Sequence, residues 1–142
     1  MAVTIDISYL GDLHTKATHG PSATQLMTDA PVDNGGQGET FSPTDLAAAA
    51  LGACLVTIMG IAAKRHEWDL RGTRVSVAKE MTAVPTRRIG ALTVTIVVPA
   101  GRVTAEADRL LLQRAAETCP VKQSLHPDVK VTMRFDWDGA AS

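Results

Sequence analysis

Eighteen consecutive residues, Leu46 to Ala63, carry no charge. A chain holding such a stretch must take it out of water, because exposed apolar surface costs free energy in proportion to its area. Eighteen residues is also the lower limit for a membrane-spanning helix. Nine of them are Ala or Gly, and Thr57 interrupts the run. Hydropathy is then modest for a span, and a buried helix of a soluble protein is the better reading. The preceding "SPTD" contains a start signal: Ser42 can cap, Pro43 suits the first helical position, and Asp45 falls three residues after the cap. A helix is expected from Pro43 to about His66, roughly 35 Å long at 1.5 Å per residue. Being apolar nearly all round, it must be covered on several sides. Ala48 and Gly52, like Ala49 and Ala53, are four apart and allow another backbone to approach closely. One sheet and one further helix can cover about two sides. A second subunit is expected to cover the rest, so the chain reads as a homodimer.

The remaining pattern supplies that sheet and that helix. Val3, Ile5, Ile7 and Tyr9 alternate with polar residues, a period of two that predicts a strand. Weaker strand signals lie near residues 13–18 and 24–28. "DAPVDNGGQGETF", residues 29–41, is a loop by its turn chemistry, and loops of this length are uncommon unless they serve a site or stay mobile. Val75 and Val77 alternate, "VPTRR" turns, and Leu92, Val94, Ile96 and Val98 alternate again, as in a hairpin or meander. A second helix spans "TAEADRLLLQRAAETC", with Thr104 as the plausible cap and Glu106 near the positive end of the dipole. Leu112 and Cys119, seven apart, share one face. Pro120 breaks this helix and can open a short one, "PVKQSL". Val129, Val131, Met133, Phe135 and Trp137 then form the clearest strand. The order β-β-β-α-β-β-α-β makes the fold α+β, and 142 residues fit a single domain, 1–142.

The two cysteines raise the chemical question. Cys119 would sit at the N-cap of the short helix, where unpaired N–H groups and the helix dipole favour a thiolate. A core cysteine at a helix junction is the other reading, and both stay open. Cys54 lies among Leu51, Leu55 and Ile58, where burial disfavours ionisation unless a positive charge is near, so locally it reads as inert. A net charge of −1 leaves no basic surplus for phosphates, so nucleic acid is not expected as a partner. "MAVTIDISYL" has no cationic region followed by an apolar core, so no secretory signal is expected, and two thiols in a reducing cytosol are either inert or redox-active. The histidines, His14, His19, His66 and His126, show no metal-ligand spacing. His66 is twelve residues from Cys54, roughly 18 Å along one helix, too far to share zinc. No metal and no cofactor is expected. "GGQG" lacks the strand–helix context of a phosphate loop.

In combination, "SPTDLAAAALGAC" followed by "AAETCPVKQSL", with the cysteines 65 residues apart, resembles the osmotically inducible protein C and organic hydroperoxide resistance (OsmC/Ohr) family. The resemblance covers nearly the whole chain. It implies an OsmC-like fold, an intertwined homodimer whose long central helices are wrapped by antiparallel sheets. It implies a cytoplasmic thiol peroxidase that reduces organic hydroperoxides to alcohols in oxidative-stress defence. Cys54 takes the position of the peroxidatic thiol and Cys119 that of the resolving one, with an external dithiol as reductant and no membrane partner. Leu51, Leu55 and Ile58 would then wall the substrate pocket. The chain departs from relatives that carry "NPEQL", whose Glu pairs with an Arg from a "GGRDG"-like stretch. Ten residues before Cys54 stands Thr44, with acidic Asp45 next, and "THGPSA" contains His19 but no Arg. An activator for Cys54 must come from elsewhere. Asp45 with Arg87 or Arg88 is expected ahead of His19, since arginine stays charged at any working pH. The departure also motivates an alternative, a non-catalytic or weakly catalytic dimer binding an apolar molecule in its interface pocket.

Overall fold

A computed structural model describes residues 1–140, and the chain divides into two compact units, residues 1–47 and residues 48 onward. In the first unit, β1 (Ile5–Gly11), β2 (His14–His19) and β3 (Gln25–Thr28) form an antiparallel sheet in the order β1-β2-β3. The two weak strand signals are therefore real strands. Their partners stabilise them more than their own propensities do. A tight turn joins β1 to β2 through Asp12 (φ 49°) and Leu13 (φ 63°), both left-handed. Two such residues give the turn whose twist matches a hairpin.

The segment 29–41 is ordered around one buried carboxylate. Oδ2 of Asp29 accepts hydrogen bonds from the backbone N–H groups of Gln37 and Glu39, both at 3.1 Å. The Asp29 N–H donates to the Phe41 carbonyl at 3.1 Å, closing the loop at its base. Gly36 is required there: a Cβ would fall 1.7 Å from the Ala30 carbonyl oxygen. The loop delivers the chain to the first helix, α1 (Pro43–Arg65). Its start is a reciprocal cap. Ser42 Oγ accepts from the Asp45 N–H at 3.0 Å, and Asp45 Oδ2 accepts from the Ser42 N–H at 2.9 Å. Two donors that the first turn would otherwise leave unmet are satisfied.

The second unit contains most of α1, then β4 (Arg74–Thr82), β5 (Arg88–Pro99), α2 (Glu106–Glu117), α3 (Pro120–Ser124) and β6 (Lys130–Gly139). Its sheet has the order β4-β5-β6. β4 and β5 pair antiparallel as a hairpin, but β6 runs parallel to β5, with Leu92 opposite Val131 and Val94 opposite Met133. The expectation of wholly antiparallel sheets is corrected here. α2 and α3 carry the chain back across the sheet, and a crossover of this kind returns a strand parallel to the one it left. A second correction concerns the start of α2. Its N-cap is Ala105, without a side-chain cap, rather than Thr104, and the Ala105 carbonyl receives the first amides, from Asp108 and Arg109.

The core of this unit lies between helix and sheet. Leu51, Leu55 and Met59 of α1, Leu92, Val94, Ile96 and Val98 of β5, and Leu112 and Ala116 of α2 have no exposed surface. On α1 the buried residues recur at 48, 51, 52, 55, 59 and 63, one stripe of the helix. Ala50, Ala53, Thr57 and Ile61, on another stripe, are exposed. By length and composition alone α1 could cross a membrane. Its hydropathy is thus higher than the Ala and Gly count suggests, because Leu, Ile, Val and Met fill the remaining positions. Gly52 is where β4 comes closest: a Cβ there would lie 2.8 Å from Val77 Cγ2 and 3.2 Å from Val75 Cγ1. Branched valines have little freedom to yield. Alanine in a helix gains about 1 kcal/mol over glycine, whereas overpacking a core costs about 1–3 kcal/mol. Gly52→Ala is expected to lower stability by about 1 kcal/mol net, read as a lower urea midpoint at unchanged slope. A higher midpoint would show that helix and sheet are not in tight contact there.

Candidate active site

Cys54 and Cys119 are both free, and in the second unit they lie near enough for Cys54 to influence the ionisation of Cys119. They arrive from different directions. Cys54 flanks the buried stripe of α1 and is half-buried, packed against the core. Cys119 follows Leu112 and Ala116 at helical spacing and is wholly buried. It is the N-cap of α3, with Pro120 in the first helical position, and its Sγ accepts from the Lys122 N–H at 3.4 Å.

That N-cap does not make Cys119 the more acidic thiol. Burial pushes its pKa up, and the hydrogen bond to Cys54 and charge on Cys54 add to the rise. The amides of Lys122 and Val121 pull the other way and lose. The local expectation of a stabilised thiolate at Cys119 is corrected by desolvation. A helix of five residues offers a short dipole, and a buried sulfur has given up its water. The seven-residue spacing of Leu112 and Cys119 was the sequence signal for that burial.

The other expected site residues have varied surroundings. Leu51 and Leu55 have no exposed surface, so they back the wall of any pocket, while half-buried Ile58 is the one able to present a face. Arg87 is exposed in the β4–β5 turn. Arg88 opens β5, and its Nη1 donates to the Ile89 carbonyl at 3.2 Å. In the first unit, the Asp45 carboxylate serves the α1 cap, and exposed His19 bonds through Nδ1 to Ser22 Oγ at 2.6 Å. Sequence reasoning missed a three-residue group in that unit, His14, Asp29 and Glu39, whose members come from the start of β2 and from the 29–41 loop. No spacing pattern marks it. Elsewhere on the second unit a groove of about 370 Å³ opens between α2 and β6 over Val131, Met133 and Phe135; neither cysteine lines it.

Because two of the causes that raise Cys119 originate at Cys54, they can be removed. Cys54→Ala is expected to lower the pKa of Cys119, while burial keeps it above the ordinary thiol value of about 8.5. The pH dependence of Cys119 alkylation, in wild type and variant, reads this directly. An unchanged or raised pKa in the variant would mean the thiols do not interact.

The chain was compared with known proteins. Residues 36–134 match the family model described as OsmC-like protein. A crystal structure from Psychrobacter arcticus 273-4, provisionally described as an osmotic stress induced and detoxification response protein, shares 40% identity, with 95% of this chain and 96% of that one covered and a TM-score of 0.88. An organic hydroperoxide resistance protein OsmC of Legionella pneumophila shares 17% identity over 96% and 97% of the two chains, with a TM-score of 0.77. The organic hydroperoxide resistance protein OhrB of Bacillus subtilis gives 17%, 95% and 98%, and 0.69. A comparison with curated proteins found no match. The match over most of the chain, the mixed α+β architecture and the paired thiols lead to one conclusion: this chain belongs to the OsmC-like protein family.

Proposed function

We propose that the protein is a thiol peroxidase that reduces organic hydroperoxides, with Cys54 as the attacking thiol and Cys119 as the resolving one. The observation that supports this reading is the pairing of a half-buried thiol on α1 with a fully buried thiol whose pKa it helps to raise. The Cys54 thiolate attacks the distal oxygen of the hydroperoxide. The O–O bond breaks, the alkoxide takes a proton and leaves as alcohol, and Cys54 becomes a sulfenic acid. The Cys119 sulfur, losing its proton, attacks the Cys54 sulfur. The S–S bond forms, the S–O bond breaks, and water leaves. An external dithiol returns two electrons by exchange and is itself oxidised to a disulfide. The apolar setting of Cys54 favours an alkyl or aryl peroxide over hydrogen peroxide. The names of the Legionella and Bacillus proteins support the substrate class.

Peroxide consumption with a dithiol reductant tests the assignment. Cys54→Ser is expected to abolish turnover. Cys119→Ser should permit one equivalent of peroxide to be reduced and leave a sulfenic acid that a dimedone-type trap labels. In the wild type, one equivalent of peroxide should give a Cys54–Cys119 disulfide by mass spectrometry. Full activity in Cys54→Ser would overturn the reading.

The working protein is proposed to be a homodimer. On β1, Ile5, Ile7 and Tyr9 are 56%, 66% and 67% exposed, and on α1 Ile61 is 47% exposed. Such apolar surface in both units is what a second copy would cover. Light scattering is expected to give twice the 15.0 kDa chain mass at micromolar concentration, about 30 kDa. A stable 15.0 kDa species would contradict this.

A further inference from the structure

In the first unit three side chains that can accept a positive charge converge. Nε2 of His14 lies 3.1 Å from Oε2 of Glu39 and 3.5 Å from Oδ2 of Asp29. One ligand atom from each of the three lies within 4.8 Å of the others. The other ring nitrogen of His14, Nδ1, stands 2.7 Å from the Asp12 carbonyl oxygen. A carbonyl only accepts, so Nδ1 holds a proton. In the neutral ring Nε2 then presents a lone pair to two carboxylates. That arrangement requires something positive between them: a second ring proton or a cation. A second ring proton points toward one oxygen; a cation serves both.

Asp29 independently needs more positive charge. Its side chain has no exposed surface, and its Oδ1 is buried without a hydrogen-bond partner. The Ala30 amide exerts only a minor pull on this carboxyl; the amides of Glu39 and Gln37 serve Oδ2. A buried carboxylate with one oxygen unmet is under-compensated.

We propose that His14, Asp29 and Glu39 form a binding site for a divalent transition cation of the zinc class. Zinc bound tetrahedrally at about 2.0–2.2 Å holds its ligand atoms roughly 3.3 Å apart. The separations of 3.1 and 3.5 Å bracket that spacing. One imidazole, two carboxylates and room for water suit zinc better than calcium, which takes six to eight oxygens. The Nδ1–H to Asp12 contact is the outer-shell bond that fixes a ligating histidine's tautomer. The left-handed turn at Asp12 and Leu13 holds that carbonyl, and the loop amides hold Asp29. A cation here would fasten the 29–41 loop, through Asp29 and Glu39, to His14 of β2.

Thiols also bind zinc, so the test uses the full chain carrying Cys54→Ser and Cys119→Ser. The thiol chemistry is then absent, and this site stands or falls separately from the peroxidase reading. Calorimetric titration with Zn²⁺ alone is expected to give one ion per chain. His14→Gln and Glu39→Gln should each weaken binding by about tenfold or more. Glu39 is exposed, so its substitution leaves folding intact, and circular dichroism verifies this. Zinc should raise the Tm of the parent and shift its His14 ring signals, while leaving both unchanged in His14→Gln. Affinity should rise with pH, because binding expels the second ring proton. Equal binding by parent and variants would indicate adventitious surface zinc and overturn the proposal. A parent whose Tm and His14 signals ignore zinc would overturn it too, and would make His14 an imidazolium paired with the two carboxylates.

Discussion

The burial of α1 is the constraint on which everything else rests. A helix without charge from Leu46 to Ala63 has no face that favours water. Within the second unit, β4, β5 and α2 cover one stripe of it and leave Ala50, Ala53, Thr57 and Ile61 exposed. At Gly52 the valines of β4 pack so close that an added Cβ would meet them. The same apolarity surrounds the one thiol on this helix, which packs against the core.

Cys54 lies on this helix, and it influences the ionisation of Cys119. Burial pushes the pKa of Cys119 up. Helix N-termini lower thiol pKa values in many proteins, and the amides of Lys122 and Val121 do act in that direction here. The loss of water around a wholly buried sulfur outweighs them. A residue's local geometry and its burial can thus argue in opposite directions, and the larger free energy decides.

Much of the architecture was legible in the chain. Period-two alternation located β1, β4, β5 and β6, and the cap at Ser42 and Asp45 located the start of α1 to the residue. The weak strands β2 and β3 were placed within a residue or two, although pairing with neighbours is what stabilises them. Local pattern misled at Thr104, where the helix begins without a side-chain cap. It was silent on the direction of β6, because alternation is the same for a parallel and an antiparallel strand. The 29–41 segment read as a loop that serves a site or stays mobile, from its turn chemistry and its length. What orders it is Asp29, whose partners are loop amides eight and ten residues away, and no composition reveals those.

The sequence alone determined the periodicities, the charge-free helix, the breaks at glycine and proline, and the two cysteine motifs that carry the family resemblance. These are properties of neighbouring residues, governed by backbone sterics and by which side chains leave water. Tertiary structure decided that Cys54 and Cys119, 65 residues apart, come near enough to interact, and that His14 faces Asp29 and Glu39. It also decided that burial raises the Cys119 pKa against the pull of the helix amides. Those outcomes depend on the distance between groups far apart in the chain and on how much water remains around each, and both are set only when the elements close on one another.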